Sequence, residues 1–309
     1  MNPLIRLIPP FLVRHFARPY VAGDSLGKAM DVAAQLWRER GLTTTLDLLA
    51  EGIEDAATIE QNVQTYLAMV DAVASDPRFG EGLDRPTVSL KLSSYTLAPL
   101  EKGGDGAGSR EAAERIIRHA RAKGVRVSVD MESAAWTDFT LAFLRKLHAN
   151  GDDHVGCVVQ SRLHRTKADV AALPPAMRTR LVIGIYREPA TIALTDKDAM
   201  KERLLELAGE LLARGHYVEF ATHDERYVRR FVDEVVRDAG VGTDRYEVQM
   251  LFGVPREKLL KELRDRGIRC RLYVPFSLGW DMAIAYLRRR LDEYPAMMFL
   301  VMRNWFRRG

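Results

Sequence analysis

Eight short runs of apolar or alternating residues recur along the chain, each set off by glycine, proline or polar positions. They are 42–48 (LTTTLDL), 87–93 (TVSLKLS), 125–131 (VRVSVDM), 155–160 (VGCVVQ), 180–186 (RLVIGIY), 217–222 (YVEFAT), 246–252 (YEVQMLF) and 269–275 (RCRLYVP). Their length and alternation predict β-strands. The segments between them are long enough for helices, and 3.6-residue spacing of apolar positions predicts helices over 59–73, 110–123, 137–148, 197–214, 226–239 and 256–266. A further helix is predicted over 26–40, ahead of the first strand. Gly41, Gly124, Gly215, Gly240 and Gly267 follow five of these segments, where a helix stop is expected.

Strand and helix alternate eight times with no linker-like stretch between halves, which predicts an α/β fold with a single (β/α)8 barrel over 41–309. Residues 1–40 are expected to form a helical segment packed on it. An open, doubly wound sheet is the alternative. It fits less well because no GxGxxG or P-loop follows the first strand, where such folds bind phosphate. The glycine-rich stretch 102–109 (KGGDGAGS) lacks the Gly-Lys-Ser/Thr ending and is expected to be a flexible surface loop.

Composition narrows the function classes. The 309 residues are 47% hydrophobic and 28% charged, usual for a soluble globular protein. A net charge of +4, with basic residues spread out, gives no support for nucleic-acid binding. The two cysteines, Cys157 and Cys270, lie in strand-like runs without a CxxC or Cys/His ligand spacing, so no metal site is expected and a reducing, cytoplasmic setting is. The longest unbroken apolar run, 296–302, is far short of a membrane span. The proline-interrupted N-terminus is read as a packing helix rather than a targeting peptide.

In such a barrel the chemistry gathers at the C-terminal ends of the strands. There this chain places Asp47 with Glu51, Lys91, Asp130 with Glu132, Gln160, Thr222 with His223, Gln249 and Tyr273. After the eighth strand, a helix from about residue 281 carries Tyr286, Arg289, Arg290 and Glu293 at i, i+3, i+4 and i+7, on one face. Two adjacent guanidiniums suit a carboxylate or phosphate ligand, since each offers a planar fork of donors. Taken singly, these residues have plainer readings: a solvated basic helix face, a strand-end carboxylate at Asp47, a sheet-edge lysine at Lys91, a helix cap at His223. Asp130 and Glu132, expected on one strand face, fit salt bridging as well as two-carboxylate hydrolysis. No GxSxG, HExxH or kinase-type set occurs, which weakens nucleophilic, metallopeptidase and phosphotransfer readings.

Taken in order, TLDLLAEG (45–52), SLKLS (89–93), VDME (129–132), VVQSRLHRT (158–166), RLVIGIYREP (180–189), FATHD (220–224), QMLFG (249–253) and YVPF…AYLRRRLDE (273–293) resemble the proline dehydrogenase family. Members are flavin-dependent (β/α)8 barrels that oxidise proline to pyrroline-5-carboxylate, and the resemblance spans about 25–302. It implies that Arg289, Arg290 and Lys91 hold the proline carboxylate and that Asp130 orders these cations. Glu51 would be a gate partner of Arg289; Tyr273, Tyr286 and Leu251 would wall the ring; Glu293 would brace the arginines. FAD would be held by Met131, Gln160, Arg180, Val182, Gly184, Thr222 and His223, with Arg180 near its reactive edge, so that Asp130 and Arg180 are the catalytic candidates. Electrons would pass to a membrane quinone, and 296–308 (AMMFLVMRNWFRR) would offer either peripheral membrane contact or a closing helix.

Three positions depart from the family pattern: Ile183 for lysine, Ile185 for alanine and Ala50 for glycine. At Tyr286, where hydroxyproline-preferring members of that family carry a smaller residue, the resemblance implies a preference for proline. A dehydrogenase of another cyclic amino acid and a flavin-less ligand-binding barrel are the competing readings.

Overall fold

The computed structural model describes residues 19–50, 53–280 and 283–284. Its eight strands are all parallel and close in sequence order: β1 (Thr43–Leu48), β2 (Thr87–Leu90), β3 (Val127–Val129), β4 (Val155–Gln160), β5 (Arg178–Val182), β6 (Tyr217–Ala221), β7 (Tyr246–Leu251) and β8 (Cys270–Phe276). Thr45 of β1 registers with Thr87 on one side and with Tyr273 of β8 on the other, which seals the barrel. The (β/α)8 expectation holds and the open sheet is excluded.

Helices wrap the barrel: α1 (Leu26–Arg40), α2 (Ala56–Ser75), α3 (Ser109–Ala122), α4 (Ala134–Ala149), α5 (Thr166–Ala171), α6 (Lys197–Ala213) and α7 (Glu225–Arg230). From α7 the chain continues through a π-helical turn, Phe231–Val236, into α8 (Arg237–Ala239), and α9 (Glu257–Asp265) precedes β8. Side chains of Asp55 and Asp196 accept from backbone N–H groups at the starts of α2 and α6, both at 2.7 Å, satisfying donors that the helix itself leaves open. All five glycines read as stops have positive φ. The stretch 102–109 is a largely exposed surface loop, as expected, tied to the preceding turn where Gly104 N–H donates to Pro99 O at 3.1 Å and Gly106 N–H to Ala98 O at 2.8 Å.

Every strand is buried on both faces, but the faces differ. Outward residues such as Leu46, Val88, Leu90, Val127, Val129 and Leu181 meet the helices in one continuous apolar core. Inward residues are mostly polar, and several are ionised. Gly156 belongs to this inner face: a Cβ there would lie 3.2 Å from Arg178 Cζ, so glycine leaves room for the guanidinium. Both cysteines are buried, and burial pushes each thiol up to about 12. With the reactive thiolate suppressed, a disulfide-exchange reagent at pH 8 is expected to titrate neither in the native protein and both after denaturation. Rapid labelling of native protein would contradict this burial.

Candidate active site

The inner face is an ionic lattice. Among the described residues, Asp47, Asp130, Glu219 and Glu247 supply four carboxylates, and Lys91, Arg178, Arg180 and Arg271 supply four cations. Charges this deep cost several kcal/mol each unless paired and hydrogen-bonded, and here every one is. Arg271 Nε donates to Glu247 Oε1 at 2.6 Å, and its remaining N–H groups reach Thr44 O at 2.9 Å and Leu83 O at 2.6 Å. Arg178 pairs with Glu219, whose other oxygen lies 3.4 Å from Arg180 Nε.

Toward the C-terminal rim the lattice narrows onto Asp130. Its Oδ1 accepts from Arg180 Nη1 at 2.9 Å and Ser89 Oγ at 2.6 Å; its Oδ2 accepts from Tyr273 Oη at 2.8 Å and lies 3.7 Å from Lys91 Nζ. Lys91 Nζ donates to Asp47 Oδ1 at 2.5 Å. Residues from β2, β5 and β8 therefore converge on one carboxylate at the end of β3. Burial opposes its charge, yet Lys91 and Arg180 hold Asp130 below the usual carboxylate range. Asp47 goes the other way: burial raises its pKa against the pull of Lys91, and the Asp130 charge adds to the rise. Burial, then Asp130 and Asp47, push the Tyr273 phenol well up, which keeps it a proton donor. Arg180 Cζ sits 5.1 Å from the Tyr273 ring centroid, a cation–π contact. Lys91 is thus an inward cation, not a sheet-edge lysine, and it retains some exposure toward the rim (27% of its side chain).

The positions that the resemblance assigns to a cofactor lie alongside, at the ends of β3 to β6. Gln160 Nε2 donates to Glu132 O at 2.6 Å, while its Oε1 is buried with no partner. Gly184, at φ 98°, lies so close that a Cβ would stand 2.2 Å from that oxygen, so only glycine fits there. Arg180 Nη2 is likewise buried without a partner. Met131 packs with Leu141 and Val158; Val182 pairs with Gln160 in the sheet. Thr222 Oγ1 accepts from Asp224 N–H, and His223 Nε2 accepts from the Leu251 N–H at 3.3 Å.

Two expectations are corrected. Asp224, not His223, caps α7, with Oδ1 accepting from Arg226 N–H at 3.2 Å. Asp130 and Glu132 do not share a strand face: β3 ends at Val129, and Glu132 turns to Ser93, accepting from its N–H at 3.0 Å and from its hydroxyl. Glu51, Tyr286, Arg289, Arg290 and Glu293 lie outside the described residues. Asp47, expected at the rim, pairs with Lys91, whereas Ser89, Arg178, Glu219, Glu247 and Arg271 are support that the sequence analysis does not place in the site. The available signal was polar residues two apart in strands otherwise apolar: Thr45/Asp47, Ser89/Lys91, Arg178/Arg180, Glu247/Gln249 and Arg271/Tyr273.

A closed parallel barrel with ionised groups converging at its C-terminal rim is the architecture of a barrel enzyme. The family model described as Proline dehydrogenase matches residues 29–298, and a Deinococcus radiodurans protein named Proline dehydrogenase is 36% identical over 286 residues, 91% of this chain and 87% of its own length. Proline dehydrogenase 1 of Bacillus subtilis is 29% identical, over 93% of this chain and 90% of its own. Among solved structures, proline utilization A from Bdellovibrio bacteriovorus, inactivated by N-propargylglycine, aligns with a TM-score of 0.79 at 22% identity over 91% of this chain, which spans only 33% of that longer protein. Its Bradyrhizobium japonicum counterpart aligns at 0.69. The chain belongs to the proline dehydrogenase family, and its class of reaction is the oxidation of proline.

Among the described residues no helix is long and apolar enough to cross a membrane, and no group of three or more His, Cys, Asp or Glu is placed to hold a metal.

Proposed function

We propose that this chain is an FAD-dependent enzyme that oxidises L-proline to 1-pyrroline-5-carboxylate and passes the electrons to a quinone. The observation that carries the reading is the convergence of Lys91, Arg180 and Tyr273 on Asp130 at the mouth of the barrel. Orphaned buried atoms beside it fit a flavin: Arg180 Nη2 is an unused donor and Gln160 Oε1 an unused acceptor, with the bare backbone of Gly184 packed against the latter. A flavin edge carries both donors and acceptors, so this mixed set suits it.

Met131, Gln160, Arg180, Val182, Gly184, Thr222 and His223 would hold the cofactor, which when bound supplies a hydride acceptor at N5 for the hydrogen leaving proline C5. The chain's own residues aim the substrate. Lys91, with Arg289 and Arg290, anchors the proline carboxylate and so fixes where C5 lies; orientation of this kind removes much of the entropic barrier. Tyr273, Tyr286 and Leu251 wall the ring, Glu293 braces the arginines, and Glu51 closes against Arg289. Asp130 prevents Lys91 and Arg180 from repelling one another and holds both in place. The Arg180 charge stabilises negative charge that builds beside it during reduction.

Charge-assisted hydrogen bonds are worth about 1.5–3 kcal/mol each, so Arg289→Met or Arg290→Met is expected to raise the KM for proline about tenfold or more. Unchanged kinetics in both variants would remove them from the site. The direct test of the whole reading is spectral. The purified protein should be yellow and should bleach with proline in the absence of oxygen. A colourless protein that FAD cannot reconstitute would instead support the flavin-less barrel, for which Ile183 is the motive. Faster bleaching by 4-hydroxyproline or pipecolate would favour another cyclic amino acid. The quinone acceptor, a cytoplasmic location and peripheral membrane contact through 296–308, outside the described residues, belong to the same proposal.

A further inference from the structure

We infer that the opposite, N-terminal mouth of the barrel is a binding site for a small oxyanion of the phosphate class. The strand starts there are unusually cationic. Arg85, Arg126, Arg245 and Arg269 stand just before β2, β3, β7 and β8, each two residues ahead of an inward residue: Thr87, Ser128, Glu247 and Arg271. Arg269 lies at the inner end of the lattice, donating to Tyr217 Oη at 3.4 Å, which in turn donates to Glu247 at 3.1 Å, and Arg85 O accepts from Arg271 Nη1 at 3.5 Å. The layer above adds Arg178 and Arg271, but these are neutralised by Glu219 and Glu247. Arg269 has Asp84 at 3.0 Å.

The other three guanidiniums have no carboxylate within 4.0 Å among the described residues. Arg245 donates only to the His216 carbonyl, at 3.4 Å. Arg85 Nε and Arg126 Nη1 are buried with no hydrogen-bond partner at all. Arg126 is half-buried, and the charges that act on it lie on other strands. Burial, then repulsion from Arg178, Arg271 and Arg269, holds it below its ordinary pKa. Buried donors left unmade are costly, and like charges gathered in a partly desolvated mouth repel. A tetrahedral oxyanion answers both, since its oxygens accept from several guanidinium forks at once while its charge offsets theirs. This site is separate from the proline site and does not depend on the flavin reading.

The test uses the full chain and inorganic phosphate at constant ionic strength, followed by titration calorimetry and thermal unfolding, with chloride as the control anion. Saturable binding near one phosphate per chain and a Tm that rises with phosphate are expected. Arg126→Gln should weaken phosphate binding at least about tenfold without lowering the Tm measured in chloride, because it removes a repelled cation. Arg85→Gln serves as the second variant should Arg126→Gln fold poorly. Absence of saturable phosphate binding in the parent, or variants that bind phosphate as the parent does, would overturn the assignment.

Discussion

Arg271→Met should lower the free energy of unfolding by about 3–5 kcal/mol, the usual cost of stranding one member of a buried ion pair. Arg271 and Glu247 are both essentially inaccessible to solvent, at 1% and 0% side-chain exposure, so no water can take over the lost partner. The substitution also strips donors from Thr44 O and Leu83 O, which tie β8 to β1 and to the turn before β2. Urea unfolding measures the loss as a lower midpoint at unchanged slope. Adding Glu247→Met should restore a large part of the stability, because the uncompensated carboxylate disappears and apolar volume fills the space. Recovery stays incomplete, since Tyr217 Oη and Gln249 Nε2 also donate to Glu247, at 3.1 and 2.6 Å. A single variant within about 1 kcal/mol of the parent, far below the usual cost of a stranded buried charge, would show that the lumen admits water.

That experiment bears on why the sequence was legible in one respect and not in another. The eight strands announced themselves because apolar residues recur between glycines and prolines, and each predicted run overlaps a strand of the barrel. Helix ends were legible for the same local reason, through Gly41, Gly124, Gly215, Gly240 and Gly267. The lattice inside the barrel was not. A charged residue in a strand reads as solvent-facing until the strand is known to be buried on both sides, and its partner is distant along the chain. Arg178 meets Glu219 across 41 positions, and Lys91 meets Asp47 across 44. Only closure of the sheet makes these neighbours. Lys91, Asp130, Arg180 and Tyr273 were nevertheless singled out, by their place at strand ends and by resemblance, and the fold brings all four within bonding distance. Glu132 was misplaced because period-two alternation was carried past Val129, where β3 has already ended.

The largest effect on activity is expected at Asp130. Asp130→Ala removes the one carboxylate shared by Arg180 and Lys91, leaving two facing cations and a Tyr273 hydroxyl without its acceptor. Each hydrogen bond to the carboxylate is worth about 1.5–3 kcal/mol, and the substitution abolishes three, from Arg180, Ser89 and Tyr273, so kcat/KM for proline should fall by about 100-fold or more. Asp130→Asn should fall less, since its amide oxygen still accepts from either Tyr273 or Ser89, and this ordering separates charge from shape. A pH series adds a second readout. The folded pKa of Asp130 lies below its ordinary value of 3.8, so its contribution to stability is complete above that pH and is lost as the pH falls through the folded value. Asp130→Asn should therefore flatten the acid limb of the stability profile below pH 3.8, while Lys91→Met, by removing one of the cations that depress it, should shift that limb upward. Parent-like kinetics in Asp130→Ala would mean that the convergence on this carboxylate serves the fold alone.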